Sequence, residues 1–73
     1  MPGLHKRSLS LSGHATSLAL EPEFWRVLEA MAADEGQALA GLVGRIDDRR
    51  GDRPLASACR VAALEWSSQG RGG

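Results

Sequence analysis

The run Thr16-Ser17-Leu18-Ala19-Leu20-Glu21-Pro22-Glu23-Phe24-Trp25 limits what this chain can fold into more than any other segment. Thr16, Leu18 and Leu20 fall at every second position, with Ala15, Ser17 and Ala19 between them. A period of two puts these sets on opposite faces of a strand. Pro22 ends the strand, because its ring fixes φ and removes the N–H that a sheet ladder needs. Both properties suit the first turn of a helix. Glu21 and Glu23 lie where the positive end of a helix favours carboxylates. A strand therefore passes into a helix with almost no loop between them.

The flanking residues extend this order. Ser8-Leu9-Ser10-Leu11 also alternates, and Ser12-Gly13-His14 reads as a turn, with Gly13 free to take positive φ. The two strands, over Ser8–Leu11 and Ala15–Leu20, can form a hairpin, or the first can pair with another chain. After Pro22, the residues Phe24, Val27, Leu28 and Met31 form one helical stripe, widened by Trp25, and Gly36 is placed to stop the helix in the left-handed conformation. Leu39, Leu42, Val43 and Ile46 repeat the stripe in a second helix, over about Ala38 to Arg49. Gly41 and Gly44 inside it read either as a close approach or as neutral substitutions. The charged break ends with a loop from Gly51 to Pro54, and a third helix is expected from Leu55 to Ser67. Residues 1–7 read as a flexible basic N-terminus and residues 68–73 as a flexible Gly-rich tail.

Size and composition narrow the options. A chain of 73 residues makes one domain at most. So short a chain buries only about 60% of the surface it exposes when unfolded. Cys59 is the only cysteine, so no intrachain disulfide can form. His5, His14 and Cys59 do not have metal-ligand spacing, and no cofactor is expected. A second copy of the chain is the simplest remaining source of stability. No catalytic set of Ser, His, Asp or Cys is suggested, so the chain does not read as an enzyme. Nine basic and nine acidic residues balance overall. No acid precedes Glu21, however, so the strand end, which holds Lys6 and Arg7, is the basic end. Serines interrupt any apolar leader, and no apolar run is long enough to cross a bilayer, so a cytoplasmic, non-membrane protein is expected.

The strand, the Pro22 helix start, Gly36 and the Leu39/Leu42/Val43/Ile46 stripe, taken in order, resemble the ribbon-helix-helix family. The Lys6-Arg7-Ser8 start and the Leu20-Glu21-Pro22-Glu23-Phe24-Trp25 junction are similar to those of a short bacterial subgroup with an added N-terminal strand and a third helix. The resemblance implies an α+β fold: a ribbon-helix-helix, intertwined homodimer with an antiparallel β-ribbon and three helices per chain. Leu18, Leu20, Phe24, Leu28, Leu42, Val43 and Ile46 would form a shared core, with Trp25 and Trp66 in the dimer interior.

It also implies a small DNA-binding transcriptional regulator whose ribbon enters the major groove of double-stranded DNA. Ala15, Ser17 and Ala19 would face the bases. Gln37 and Ala38, at the start of the second helix, would clamp a phosphate, and Lys6 and Arg7 would contact the backbone. Alanine can meet only a thymine methyl, and serine makes a short, ambiguous hydrogen bond. The alternative is a non-enzymatic protein-interaction module, adaptor or antitoxin-like, that uses the same dimer as a scaffold for a protein partner.

Overall fold

The computed structural model describes residues 3–70. Strands β1 (His5–Leu11) and β2 (His14–Leu20) form an antiparallel pair, and helices α1 (Pro22–Asp34), α2 (Leu39–Arg49) and α3 (Leu55–Ser68) follow. The first strand therefore pairs within its own chain. Ser12 and Gly13 make the two-residue turn with φ of 51° and 83°. Two successive positive φ values match a type I′ turn, whose twist suits the strands it joins.

β1 starts three residues earlier than expected, which places Lys6 and Arg7 in the strand and not in a flexible lead-in. Two contacts with α1 hold that start. The Trp25 indole Nε1–H donates to the His5 carbonyl at 2.8 Å, and the Arg7 guanidinium donates to Glu29 at 2.7 Å. At the other end, α3 includes Ser68, where a tail was expected, and the Ser68 hydroxyl donates to the Leu64 carbonyl at 2.8 Å. The expected flexible residues 1–2 and 71–73 lie outside the described residues.

Gly36 ends α1 as its position suggests, with φ of 67°. The Gly36 N–H donates to the Ala33 carbonyl at 3.1 Å, and the Gln37 N–H donates to the Ala32 carbonyl at 2.9 Å. These are the paired bonds of a Schellman motif. By fixing Gln37, they set where α2 begins.

The core lies between the inner face of the hairpin and the three helices. Leu11, Leu18 and Leu20 from the strands pack with Trp25, Leu28, Met31, Leu42, Val43 and Cys59. Leu18, Leu20, Leu28, Leu42 and Val43, expected in a core shared between chains, are thus buried within one chain. The cover comes from β1 and from α3, which contributes Ala58, Cys59 and Ala63. Trp25, only 2% exposed, is the large anchor of α1, whereas Phe24 and Ile46 are half-buried at the margin. The inward side of α1 runs through Trp25, Leu28, Met31 and Ala32, one position round from the stripe that starts at Phe24. Trp66 is half-buried against the same cluster.

A second link ties α3 to the strand–helix junction. Arg60 donates to both Glu21 carboxylate oxygens, at 2.9 and 3.2 Å, and lies over the Phe24 ring, 5.8 Å from its centre. Glu21 therefore spends its carboxylate on Arg60 and does not cap the helix it precedes.

Candidate nucleic-acid interface

The hairpin register decides which side chains share a face. Lys6 lies opposite Ala19, Ser8 opposite Ser17, and Ser10 opposite Ala15. Period-two alternation puts these six residues on the outer face, away from the Leu18 and Leu20 side. Lys6, Ser8, Ser10, Ala15 and Ser17 are exposed and Ala19 is half-buried. The hairpin thus brings together four of the residues expected from sequence: Lys6, Ala15, Ser17 and Ala19.

Arg7 is separated from them. It alternates to the opposite face, where its guanidinium lies 4.7 Å from the centre of the Trp25 ring and is bonded to Glu29. A cation over an indole face is attracted by the ring quadrupole, so both ends of this interaction hold Arg7 against α1. Among the described residues, Lys6 is left as the only cation on the outer face.

Gln37 and Ala38 stand together at the start of α2, as expected. Ala38 is the N-cap and has no side-chain hydrogen bond to the helix; its carbonyl accepts from the Leu42 N–H at 3.1 Å. The first N–H groups of a helix have no partner within the helix, and the first turn of α2 carries no acidic residue. An anion could meet those groups. Gln37, however, donates to Glu35 at 2.7 Å, and Arg45 is ion-paired to the same Glu35 oxygen. A carboxylate therefore already sits beside this helix end. A Cβ at Gly41 would lie 3.3 Å from Gln37 Oε1, a tight contact that a small shift of the Gln37 side-chain end relieves. Gly44 has open space around it, so nothing in the packing requires it.

Among the described residues there is no group of three or more His, Cys, Asp or Glu that could hold a metal ion. Cys59 is fully buried, and burial, reinforced by the charge of Asp47, pushes its thiol up to about 11. It stays protonated near neutrality and is a poor nucleophile. No helix among the described residues is long and apolar enough to cross a membrane.

Sequence reasoning missed two features. One is the Arg60–Glu21 bridge, whose partners lie 39 positions apart in sequence with no local pattern to connect them. The other is the arginine-lined trough between α2 and α3, for which the only signal was the cluster Arg49, Arg50 and Arg53.

A family model for the ribbon-helix-helix domain matches residues 4–67. The chain is also similar to a solved structure described as an uncharacterized protein from Bordetella pertussis Tohama I, with a TM-score of 0.81 and 38% identity. That match covers 97% of this chain and 62% of the other, so the chain spans less than two thirds of that protein's length. No curated protein matches.

Proposed function

This chain belongs to the ribbon-helix-helix domain family, and on that premise we propose that it is a small dimeric DNA-binding protein, a transcriptional regulator of the cytoplasm. The outer face of its ribbon lies on the major groove. The observation that carries this reading is the register of the hairpin, which gathers Lys6, Ser8, Ser10, Ala15, Ser17 and Ala19 on one accessible face. No acidic residue precedes Glu21, so that face carries no negative side chain to repel phosphates.

The contacts divide by chemistry. Lys6 pairs with a phosphate. The free N–H groups at the start of α2, beside Gln37 and Ala38, take a second phosphate. Arg7 contributes by fixing β1 on α1, with its own charge directed to Glu29. Ala15 and Ala19 touch thymine methyl groups, and Ser17 makes a single short hydrogen bond. The face holds no Arg, Asn or Gln to make the bidentate contact that gives about 1–3 kcal/mol of base discrimination. Binding then rests mainly on phosphates and groove shape, with modest sequence preference.

The test is binding to a pool of genomic fragments across a salt series. Affinity falls as salt rises, with a logarithmic slope of about −0.9 for each phosphate neutralised. Lys6→Ala reduces that slope by about 0.9 per chain bound, whereas Arg7→Ala leaves it nearly unchanged and lowers stability. Salt-independent binding, or none, refutes the reading. A stable complex with a protein partner in that case favours the interaction module, which a ribbon face without Arg, Asn or Gln already suits.

A further inference from the structure

A trough of about 320 Å³ runs between α3, from Ala58 to Glu65, and the C-terminal half of α2 with the loop that follows it. Its floor is half-buried and apolar, formed by Ile46, Val61 and Ala62, and its rim carries the exposed Arg49, Arg50 and Arg53. A neighbouring hollow of about 200 Å³ shares Ile46, Arg49, Ala62 and Glu65 and extends the trough to Trp66. Neither contains a hairpin residue.

The rim cations are available. Among the described residues, four basic side chains are used in ion pairs: Arg7, Arg45, Arg50 and Arg60. Arg50 is held by Asp47 at 2.6 Å and by the Arg53 carbonyl at 2.8 Å, which fixes it at the trough's edge. The guanidinium groups of Arg49 and Arg53 have no partner among the described residues. Two free guanidinium groups and one fixed one thus border an apolar floor.

We propose that this trough is the docking site for an acidic amphipathic helix of a protein partner. Such a helix places apolar side chains spaced three and four residues apart on Ile46, Val61 and Ala62. The carboxylates flanking that stripe meet Arg49 and Arg53, where the guanidinium fork matches carboxylate geometry. A nucleic-acid backbone fits less well, because it has no apolar surface to cover the floor; the Glu65 carboxylate that also lines the trough opposes either anion and directs a helix's carboxylates to the Arg49 and Arg53 side. A second copy of the chain fits less well too. Leu4 and Leu64 are the only exposed large apolar side chains among the described residues, too few to form the matching stripe.

The probe is a fluorescein-labelled synthetic helix with leucines at helical i, i+3, i+4 and i+7 spacing and glutamates on both flanks. The control carries lysines in place of the glutamates. The full chain is titrated into each and followed by fluorescence anisotropy at about 0.1 M salt. The glutamate helix binds and the lysine helix binds at least about tenfold more weakly. In ¹⁵N spectra the largest shifts fall on Ile46, Val61 and Ala62. The double substitution Arg49→Glu and Arg53→Glu weakens binding about tenfold or more. These side chains are exposed, so the thermal transition is retained, and Val61→Ser provides an independent lesion in the floor. Equal affinity for the two helices overturns the proposal, as does absence of binding up to about 1 mM or shifts confined to the hairpin. If the arginine substitutions abolish DNA binding and leave the peptide unaffected, the trough is a phosphate surface and the proposal fails. The trough shares no residue with the ribbon face, so failure here leaves the DNA reading intact, and the reverse holds.

Discussion

Replacing Trp25 by phenylalanine tests how the hairpin is held on the helices. The indole is 2% exposed, donates to the His5 carbonyl at 2.8 Å and carries the Arg7 guanidinium on its face. Phenylalanine keeps most of the apolar contact and removes the donor. Loss of a hydrogen bond costs about 0.5–1.5 kcal/mol, and the lower half applies because His5 is exposed and its carbonyl can turn to water. The weaker ring quadrupole costs about 0.5 kcal/mol more, and the space left by the smaller ring adds about 1 kcal/mol. The sum is about 2 kcal/mol. A chain of this length has a total stability of about 4–11 kcal/mol, so the variant folds and melts about 8–16 °C lower. Trp25→Ala is harsher: about 3–5 kcal/mol for the truncation unfolds a large share of the molecules. Urea denaturation followed by circular dichroism gives the free energies, and amide exchange locates the loss. Protection falls first at His5 and Arg7, while β2 stays closer to the wild type. A double-mutant cycle with Arg7→Ala returns a coupling of about 0.5–1 kcal/mol. A Trp25→Phe variant within about 0.5 kcal/mol of the wild type, or one losing protection equally in both strands, refutes the anchoring role.

Three further outcomes follow from local geometry. Ser12 holds a positive φ in the hairpin turn, where asparagine is better tolerated, so Ser12→Asn raises stability by about 0.5 kcal/mol, read as a higher melting temperature. The Arg60 hydrogen bonds hold the Glu21 carboxyl below its ordinary value. Its contribution is therefore present above the ordinary glutamate range and is lost as pH falls through the depressed folded value. Glu21→Gln flattens the acid limb of the stability–pH curve, and an unchanged limb rejects the bridge. For Cys59 the sign is opposite: the folded thiol keeps its proton up to about 11, against an ordinary value of 9.0. Stability falls as pH rises from the ordinary value toward the folded one, and iodoacetamide modifies Cys59 slowly in native protein and quickly in urea.

The elements were legible because each begins or ends on a residue with a local reason. Pro22 opens α1 and Gly36 closes it, and the alternation from Ala15 to Leu20 sets which side of β2 is outward. The start of β1 was not legible. Nothing around His5 and Arg7 signals a strand, and the contacts that hold them come from Trp25 and Glu29 on a helix about twenty residues away. The site was legible in the same uneven way. Lys6 and Arg7 are neighbours in sequence and look equivalent as cations. The pleat puts them on opposite faces, one facing outward and the other bound to α1. The division of Phe24 and Trp25 between margin and core likewise depends on the rotation of α1, which hydrophobic periodicity leaves uncertain by about one position.

The pairing of β1 with β2 bears directly on how DNA can be met. The hairpin is a two-stranded antiparallel ribbon inside one chain. With strands about 4.8 Å apart, it is narrow enough for a major groove about 12 Å wide, and its serines and alanines let the backbone approach the base edges closely. If two chains join along the free edges of β2, the order becomes β1-β2-β2-β1, and three spacings of about 4.8 Å span about 14 Å before side chains are added. That sheet is wider than the groove and cannot enter it flat. Edge pairing and groove entry by the whole sheet therefore exclude each other. A dimer joined in this way must touch DNA through the rims of the sheet and the α2 N-termini, whereas a dimer joined elsewhere can insert one hairpin per half-site. Lys6 lies on the outer strand of the four, at the rim that meets phosphates in the first arrangement. Ser17 lies on the inner strand and reaches a base only in the second. Replacing Ser17 by arginine thus separates them: base preference sharpens if a hairpin inserts and does not change if the sheet lies across the groove.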